Sequence, residues 1–157
     1  MKKLFFICLI TFLSISCSSD EPTVEGFSLD VGVSIKVTNS NNEDLLDPNT
    51  QNSYNKDEIK IFNKVDGKLV EVYDGFKNAP RNFIIEKEQN GNQYLITVFL
   101  NNDKDEKFPE TYIQWNKDNT DIIKAEFSRT KNSVAKKTVW LNGKEISNVT
   151  PYFIISK

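Results

Sequence analysis

The sequence predicts an all-β fold, a single antiparallel β-sandwich of about nine strands. Three observations support this prediction. Apolar residues occupy alternate positions over 27–37, turn-forming pairs such as Asp66-Gly67 and Asn142-Gly143 separate short apolar runs, and no segment shows convincing helical periodicity. Many short strands separated by turn signals are typical of sandwiches and barrels, so a closed β-barrel is the alternative.

Residues 27–37 form the clearest strand of the sequence. The apolar positions are Phe27, Leu29, Val31, Val33, Ile35 and Val37, with polar or small residues between them. Strict alternation places all six apolar side chains on one face of a half-buried strand. The run is long for a single strand, and Gly32 indicates a bulge or a bend that lets the run serve both sheets.

Residues 39–56 are polar and rich in turn formers, with Asp47-Pro48 near the middle. Leu45 and Leu46 are the only aliphatic pair in this stretch, so we expect them to hold the loop against the core. Loops of this length are uncommon in compact domains unless they cover an edge or carry function. We expect this loop to cover a sheet edge.

The rest of the chain predicts hairpins. The expected strands are 57–65, 69–73, 81–88, 93–101, 110–115, 120–129, 133–141, 144–146 and 152–156. Asp66-Gly67, Asn90-Gly91 and Asn142-Gly143 suit type I′ turns, in which both central residues need a positive φ. Because the long first strand can serve two sheets, we expect an immunoglobulin-like or transthyretin-like sandwich.

Residues 1–16 have the layout of a lipoprotein signal peptide. Lys2 and Lys3 give a positive start, and the apolar run 4–13 is shorter than the roughly 20 residues that a membrane-spanning helix needs. The segment Ser14-Ile15-Ser16-Cys17 resembles the lipobox of bacterial lipoproteins. The resemblance implies cleavage before Cys17 and lipid attachment to its sulfur and new amine, and two or more acyl chains hold a protein stably on a membrane.

Residues 17–26 are then the lipidated cysteine with a polar tether, and residues 27–157 are the sandwich domain. Ser18 follows the cysteine, which in Gram-negative lipoproteins favours the outer membrane, and Asp20-Glu21 resembles a surface-export tag of Bacteroidetes lipoproteins. With the 33–46 segment and the closing hairpin, the chain resembles small Bacteroidetes lipoproteins of unassigned function. The resemblance implies a single β-sandwich that is exported and anchored to the outer membrane, either periplasmic or surface-exposed.

Charge and cysteine content restrict the class of protein further. The chain of 157 residues has 20 basic and 22 acidic residues, and Lys2 and Lys3 leave with the signal, so the mature net charge is −4. A mildly acidic surface gives no electrostatic footprint for nucleic acid. Cys8 also leaves and Cys17 is lipidated, so we expect a mature domain without a disulfide that relies on core burial.

The residue types needed for most catalysis are missing from the sequence. The chain has no histidine, which excludes Ser-His-Asp and Cys-His arrangements and the usual zinc sites. We therefore expect neither an enzyme nor a cofactor. A carboxylate pair acting on sugars, as in glycoside hydrolases, is the one catalytic alternative. The acidic residues nevertheless cluster in turns such as 103–106, where solvation explains them.

Two oxygen-rich loops and three aromatic residues are the candidates for ligand contacts. The loops 41–44 and 118–121 do not match the calcium-binding EF-hand pattern, so we interpret them as structural turns and predict no metal site. Tyr112, Trp115 and Trp140 are the aromatic candidates, because an exposed tryptophan near a tyrosine can stack on a sugar ring. The alternative is that these residues pack in the core, which is commoner for so large a side chain.

Taken together, these features predict a non-catalytic, membrane-tethered binding or interaction module of the cell envelope. Its expected contacts are the membrane, through lipid on Cys17, and a glycan or an envelope protein. The alternative is a structural subunit or assembly factor of a surface filament, which needs an exposed sheet edge or an exchangeable terminal strand. The closing segment 151–157 is the candidate strand donor.

Overall fold

The computed structural model describes residues 26–89 and 91–157, which form eleven β-strands and no helix. The strands are β1 (Ser28–Asp30), β2 (Gly32–Thr38), β3 (Lys60–Val65), β4 (Lys68–Glu71), β5 (Phe83–Lys87), β6 (Tyr94–Phe99), β7 (Glu110–Asn116), β8 (Asn119–Arg129), β9 (Ser133–Leu141), β10 (Lys144–Glu145) and β11 (Phe153–Ser156). The predicted signal peptide, Cys17 and all of the tether except Gly26 lie outside the described residues.

The strands form two sheets. The larger sheet has the order β1-β9-β8-β7-β3-β4, with β10 also paired to β9, and the smaller sheet has the order β11-β2-β6-β5. The described part of the chain is therefore all-β, and its sheets do not close into a barrel. The barrel alternative is wrong because each sheet ends in strands with an unpaired edge.

The prediction of purely antiparallel sheets is also wrong. β1 runs parallel to β9, and β11 runs parallel to β2, whereas the other pairs are antiparallel. Parallel neighbours need a crossover connection and cannot form a simple hairpin. The mixed character arises because strands near each end of the described chain add to partners far away in the sequence.

The long alternating run serves both sheets, as predicted, but the break falls at Val31, and Gly32 begins β2. Val33, Ile35 and Val37 of β2 are buried, which confirms that half of the pattern. Phe27 and Leu29 are 62% and 56% exposed, so the expectation of one continuous buried face is wrong. The reason is that β1 lies at the edge of the larger sheet, where only β9 flanks it.

One buried cluster joins the two sheets. The smaller sheet contributes residues such as Ile35 and Ile96, and the larger sheet contributes Ile113, Ile123 and Val139, among others. Leu45 and Leu46 of the 39–56 loop are also buried, as predicted. The register of β2 with β6 ends at Ile35. Beyond that residue the loop pairs with β2, because the Leu45 N–H donates to the Val37 carbonyl at 2.8 Å.

Two of the predicted type I′ turns are confirmed by their backbone angles. Asp66 and Gly67 have φ values of 49° and 76°, and Asn142 and Gly143 have values of 49° and 83°. Positive φ at both central residues matches the right-handed twist of the flanking strands. Asn90 lies outside the described residues, although β5 and β6 on either side of it pair antiparallel.

Candidate functional site

Trp115, one of the three aromatic candidates, has no exposed surface. It points inward from β7 and stacks on the Tyr54 ring, with 5.4 Å between centroids and 28° between the ring planes. Its indole Nε1 donates to Asp121 Oδ2 at 2.6 Å, which provides the hydrogen-bond partner that a buried tryptophan needs. Trp115 is therefore a core residue that a ligand does not reach in this structure.

Asp121 is a buried carboxylate, 4% exposed, that accepts three side-chain hydrogen bonds. Besides Trp115, Lys157 Nζ donates to Oδ2 at 2.6 Å and Asn142 Nδ2 donates to Oδ1 at 2.9 Å. Burial disfavours the charged form, but these donors outweigh it and lower the pKa of Asp121. Because Asp121 is on β8 and Lys157 follows β11, this network ties the larger sheet to the smaller one.

Side chains in and beside the 41–44 loop use their oxygens within the chain, as Asp121 of the 118–121 loop does. Asn39 Oδ1 accepts from the N–H groups of Asn41 and Glu43, and Asp44 Oδ2 accepts from the Tyr94 N–H at 2.6 Å. Such bonds are those by which asparagine and aspartate stabilise turns. Within residues 26–89 and 91–157, no group of three His, Cys, Asp or Glu residues is placed to hold a metal ion.

Tyr112 and Trp140, the other two aromatic candidates, lie on the outer face of the larger sheet. Tyr112 alternates with the buried Thr111 and Ile113, and Trp140 follows the buried Val139. Both are partly exposed. Tyr112 is in register with Ile122 of β8, and Trp140 with Lys124 of the same strand, so the two aromatic side chains flank β8 on one face.

Phe108 joins this face, although it was not among the predicted site residues. Its ring meets Trp140 edge-to-face, with 5.7 Å between centroids and an angle of 88°. Lys124 Nζ lies 5.0 Å from the Trp140 centroid and 5.7 Å from that of Phe108. The sequence could have indicated this placement, because Phe108 is an even number of positions from the outward-facing Tyr112 and side chains alternate between faces along an extended chain. We call Phe108, Tyr112, Lys124 and Trp140 the outer aromatic face.

Glu110 supplies the carboxylate beside this face. Its Oε2 accepts from Lys64 Nζ at 3.0 Å and from the Tyr112 hydroxyl at 3.0 Å. The hydrogen bond from Lys64 lowers the pKa of Glu110 despite partial burial, and it raises the pKa of Lys64. A carboxylate held charged by two donors is fixed in place and suits hydrogen bonding to a ligand.

The outer aromatic face therefore combines aromatic rings, a cation and a fixed carboxylate on one surface. Such groups support noncovalent binding, because rings offer apolar contact and the ionic groups offer hydrogen bonds. Glu110 is paired with Lys64, and Glu145 of β10 is in register with Trp140 on the same face. The expectation that the chain is not an enzyme stays a prediction.

Comparison of the chain with protein-family models, with curated proteins and with solved structures finds no match in any of the three. The described residues contain no helix long and apolar enough to cross a membrane.

Proposed function

We propose that this chain is a non-catalytic binding module of the cell envelope, and that the outer aromatic face contacts its ligand. One observation carries the proposal. Trp140 lies on the solvent side of the larger sheet, beside Phe108 and Lys124, and not in the shared core. Tryptophan is a common anchor of binding surfaces because its large ring contributes much contact area at low entropic cost.

A saccharide is the ligand class that these groups fit best. The C–H faces of a sugar ring stack on aromatic side chains, and its hydroxyls need neighbouring donors and acceptors. Phe108 and Trp140 supply the rings. Glu110 on β7 supplies an acceptor two strands from Trp140, and Lys64 on β3 supplies a donor three strands from it. We therefore propose an extracellular glycan as the ligand, with an envelope protein as the alternative partner.

The anchoring and the location belong to the same proposal. Lipid on Cys17 holds the mature chain on the outer membrane, facing the periplasm or the outside of the cell. The finer fold description, an immunoglobulin-like or transthyretin-like sandwich, is likewise proposed, supported by two sheets around one core and the crossing at Val31. For the filament-subunit alternative, β11, the candidate exchangeable strand, pairs with β2 in the same chain, which counts against strand donation by this segment.

The test is retention of the mature, full-length chain on a glycan array. We expect at least one glycan class to retain the unaltered chain and Trp140→Ala to lose that retention. Phe76→Ala is the matched control, because Phe76 is fully exposed and is not part of the outer aromatic face. No retention by any glycan, or equal retention of the Trp140→Ala variant, would overturn the assignment of this face.

A further inference from the structure

β4 is one end of the larger sheet, and its outer edge has no partner among the described residues. It pairs only with β3, in the register Val65↔Lys68, Lys64↔Leu69, Asn63↔Val70 and Phe62↔Glu71. All four β4 residues are exposed. An unpaired edge presents main-chain groups that can pair with another strand, and natural sheets usually protect such an edge.

The register shows which main-chain groups of β4 are unpaired. The Val72 N–H donates to the Ile61 carbonyl at 2.8 Å, so Val72 faces β3. In an antiparallel ladder, hydrogen-bonded and non-bonded positions alternate, so Val70 also faces β3. Leu69 and Glu71 then direct their N–H and C=O groups away from the sheet, and no described group bonds to them.

The same segment carries a concentration of exposed apolar side chains. Nine large hydrophobic residues of the described chain are exposed, and five of them lie between positions 65 and 76: Val65, Leu69, Val70, Tyr73 and Phe76. Scattered exposed apolar residues are ordinary, but a contiguous group marks an interaction surface. Here Leu69 and Val70 belong to β4 itself and face opposite sides of the sheet, and the other three residues lie close to it in the chain.

Two of the other three sheet ends, β1 and β5, have features that discourage pairing. β1 is short, with only three residues. β5 ends in the exposed charges of Glu86 and Lys87. On β4, by contrast, the charge of Glu71 is already paired with Lys60 at 2.9 Å, and Lys68 stands at the turn.

From these observations we propose that the β4 edge binds an extended segment of another protein, which adds a strand to the larger sheet. The partner strand runs antiparallel and bonds to the main chain of Leu69 and Glu71. It places apolar side chains opposite Leu69 and Val70 and a basic or polar side chain opposite Glu71. This mode of recognition takes affinity from main-chain bonds and specificity from alternate side chains.

A second copy of this chain fits the edge less well. Two-fold pairing of β4 with itself, centred on Val70, places Glu71 beside Leu69 of the second copy. That arrangement desolvates the Lys60–Glu71 ion pair on both sides of the axis without a new charged partner, which is unfavourable. A partner with a lysine opposite Glu71 covers the same pair but offsets this cost with a second cation beside the carboxylate.

The probe for the test is the terminally blocked peptide Thr-Lys-Val-Val-Thr, titrated into the full-length mature chain. Amide hydrogen exchange is read by NMR. In the free protein the Leu69 and Glu71 amides should exchange fast, and the peptide should slow both. The Val70 amide, already bonded to β3, is the internal control and should change little. Unchanged exchange at Leu69 and Glu71 at saturating peptide would overturn the proposal.

Two changes isolate the main-chain bonds. Methylating the peptide nitrogens of the lysine and the second valine removes the donors that face β4, and binding should weaken by about tenfold or more. Leu69→Pro should have the same effect, since its N–H makes no bond to β3, whereas Leu69→Thr keeps the donor. Equal binding of the methylated peptide would contradict strand addition even if the proline variant does not fold.

Two further outcomes separate this inference from its competitors. If sedimentation shows that the chain dimerises and that Leu69→Pro restores the monomer, then the occupant is a second copy and the proposed partner is wrong. Trp140→Ala should leave peptide binding unchanged, because the inference does not rest on the outer aromatic face. Loss of glycan binding and loss of peptide binding are therefore distinguishable failures.

Discussion

Lys157 Nζ lies 2.6 Å from Asp121 Oδ2, and this contact joins the end of the smaller sheet to β8 of the larger one. Both side chains are nearly buried, with 14% and 5% of their surfaces exposed. Trp115 and Asn142 donate to the same carboxylate. The polar network thus connects the two sheets in addition to the apolar packing between them.

Breaking this pair from one side should be costly. We expect Asp121→Asn to lower the free energy of unfolding by about 3–5 kcal/mol, because the Lys157 ammonium is left buried without a counter-charge. The measurement is urea unfolding of the mature chain. In a double-mutant cycle with Lys157→Met, the double variant should be more stable than the sum of the single losses implies. Additive losses would show that the two residues are not coupled.

The same carboxylate predicts a pH dependence. The folded pKa of Asp121 is lowered relative to the unfolded value of about 3.9, so its stabilisation is fully present above that pH. It is lost as the pH falls through the folded pKa, because protonation then favours the unfolded chain. The Asp121→Asn variant should therefore lose less stability than the unaltered chain on acidification. Parallel acid curves for the two proteins would contradict this.

The two tryptophans should differ sharply in their contribution to stability. We expect Trp115→Ala to cost about 3–5 kcal/mol, because it empties a fully buried site and removes a donor to Asp121. Trp140→Ala should cost only about 1 kcal/mol, since it removes one edge-to-face contact and one cation–ring contact outside the core. Chemical unfolding with tryptophan fluorescence measures both. Similar losses would mean that Trp140 is as important to the core as Trp115.

Membrane attachment is tested at Cys17. In cells, Cys17→Ala should move the protein from the membrane fraction to the non-membrane fraction, because the residue that receives the lipid is gone. Fractionation with immunodetection gives the result, and Cys8→Ala, within the predicted signal peptide, is the matched control that should stay membrane-bound. Retention of the Cys17→Ala variant on the membrane would refute the lipid assignment.

Much of the fold follows from local patterns in the sequence. Val33, Ile35 and Val37 alternate with polar residues and are buried, and Asp66-Gly67 has the positive φ values that its turn type needs. Local alternation cannot reveal where a strand leaves one sheet for another. For that reason the exposure of Phe27 and Leu29 and the parallel pairing of β1 were not predictable from the sequence.

The orientation of Trp140 depends on a feature that alternation alone hides. Glu126 pairs with Thr138 and Phe127 pairs with Lys136, so Lys137 is an extra residue in a β-bulge. A bulge shifts the alternation of side chains along its strand. The buried positions of β9 are therefore even-numbered before Lys137, as at Val134, and odd-numbered after it, as at Val139. For that reason the sequence could not show which side chains of β9 point outward.

The crossing at Val31 has a mechanical consequence. A force applied at Gly26 reaches β1 first, and β1 is held to the larger sheet by its short ladder with β9 and by the Asp30–Lys136 pair. The longer ladder of β2 in the smaller sheet bears load only after β1 has detached. Traction from the N-terminal side should therefore peel away a small segment before it disturbs the buried cluster.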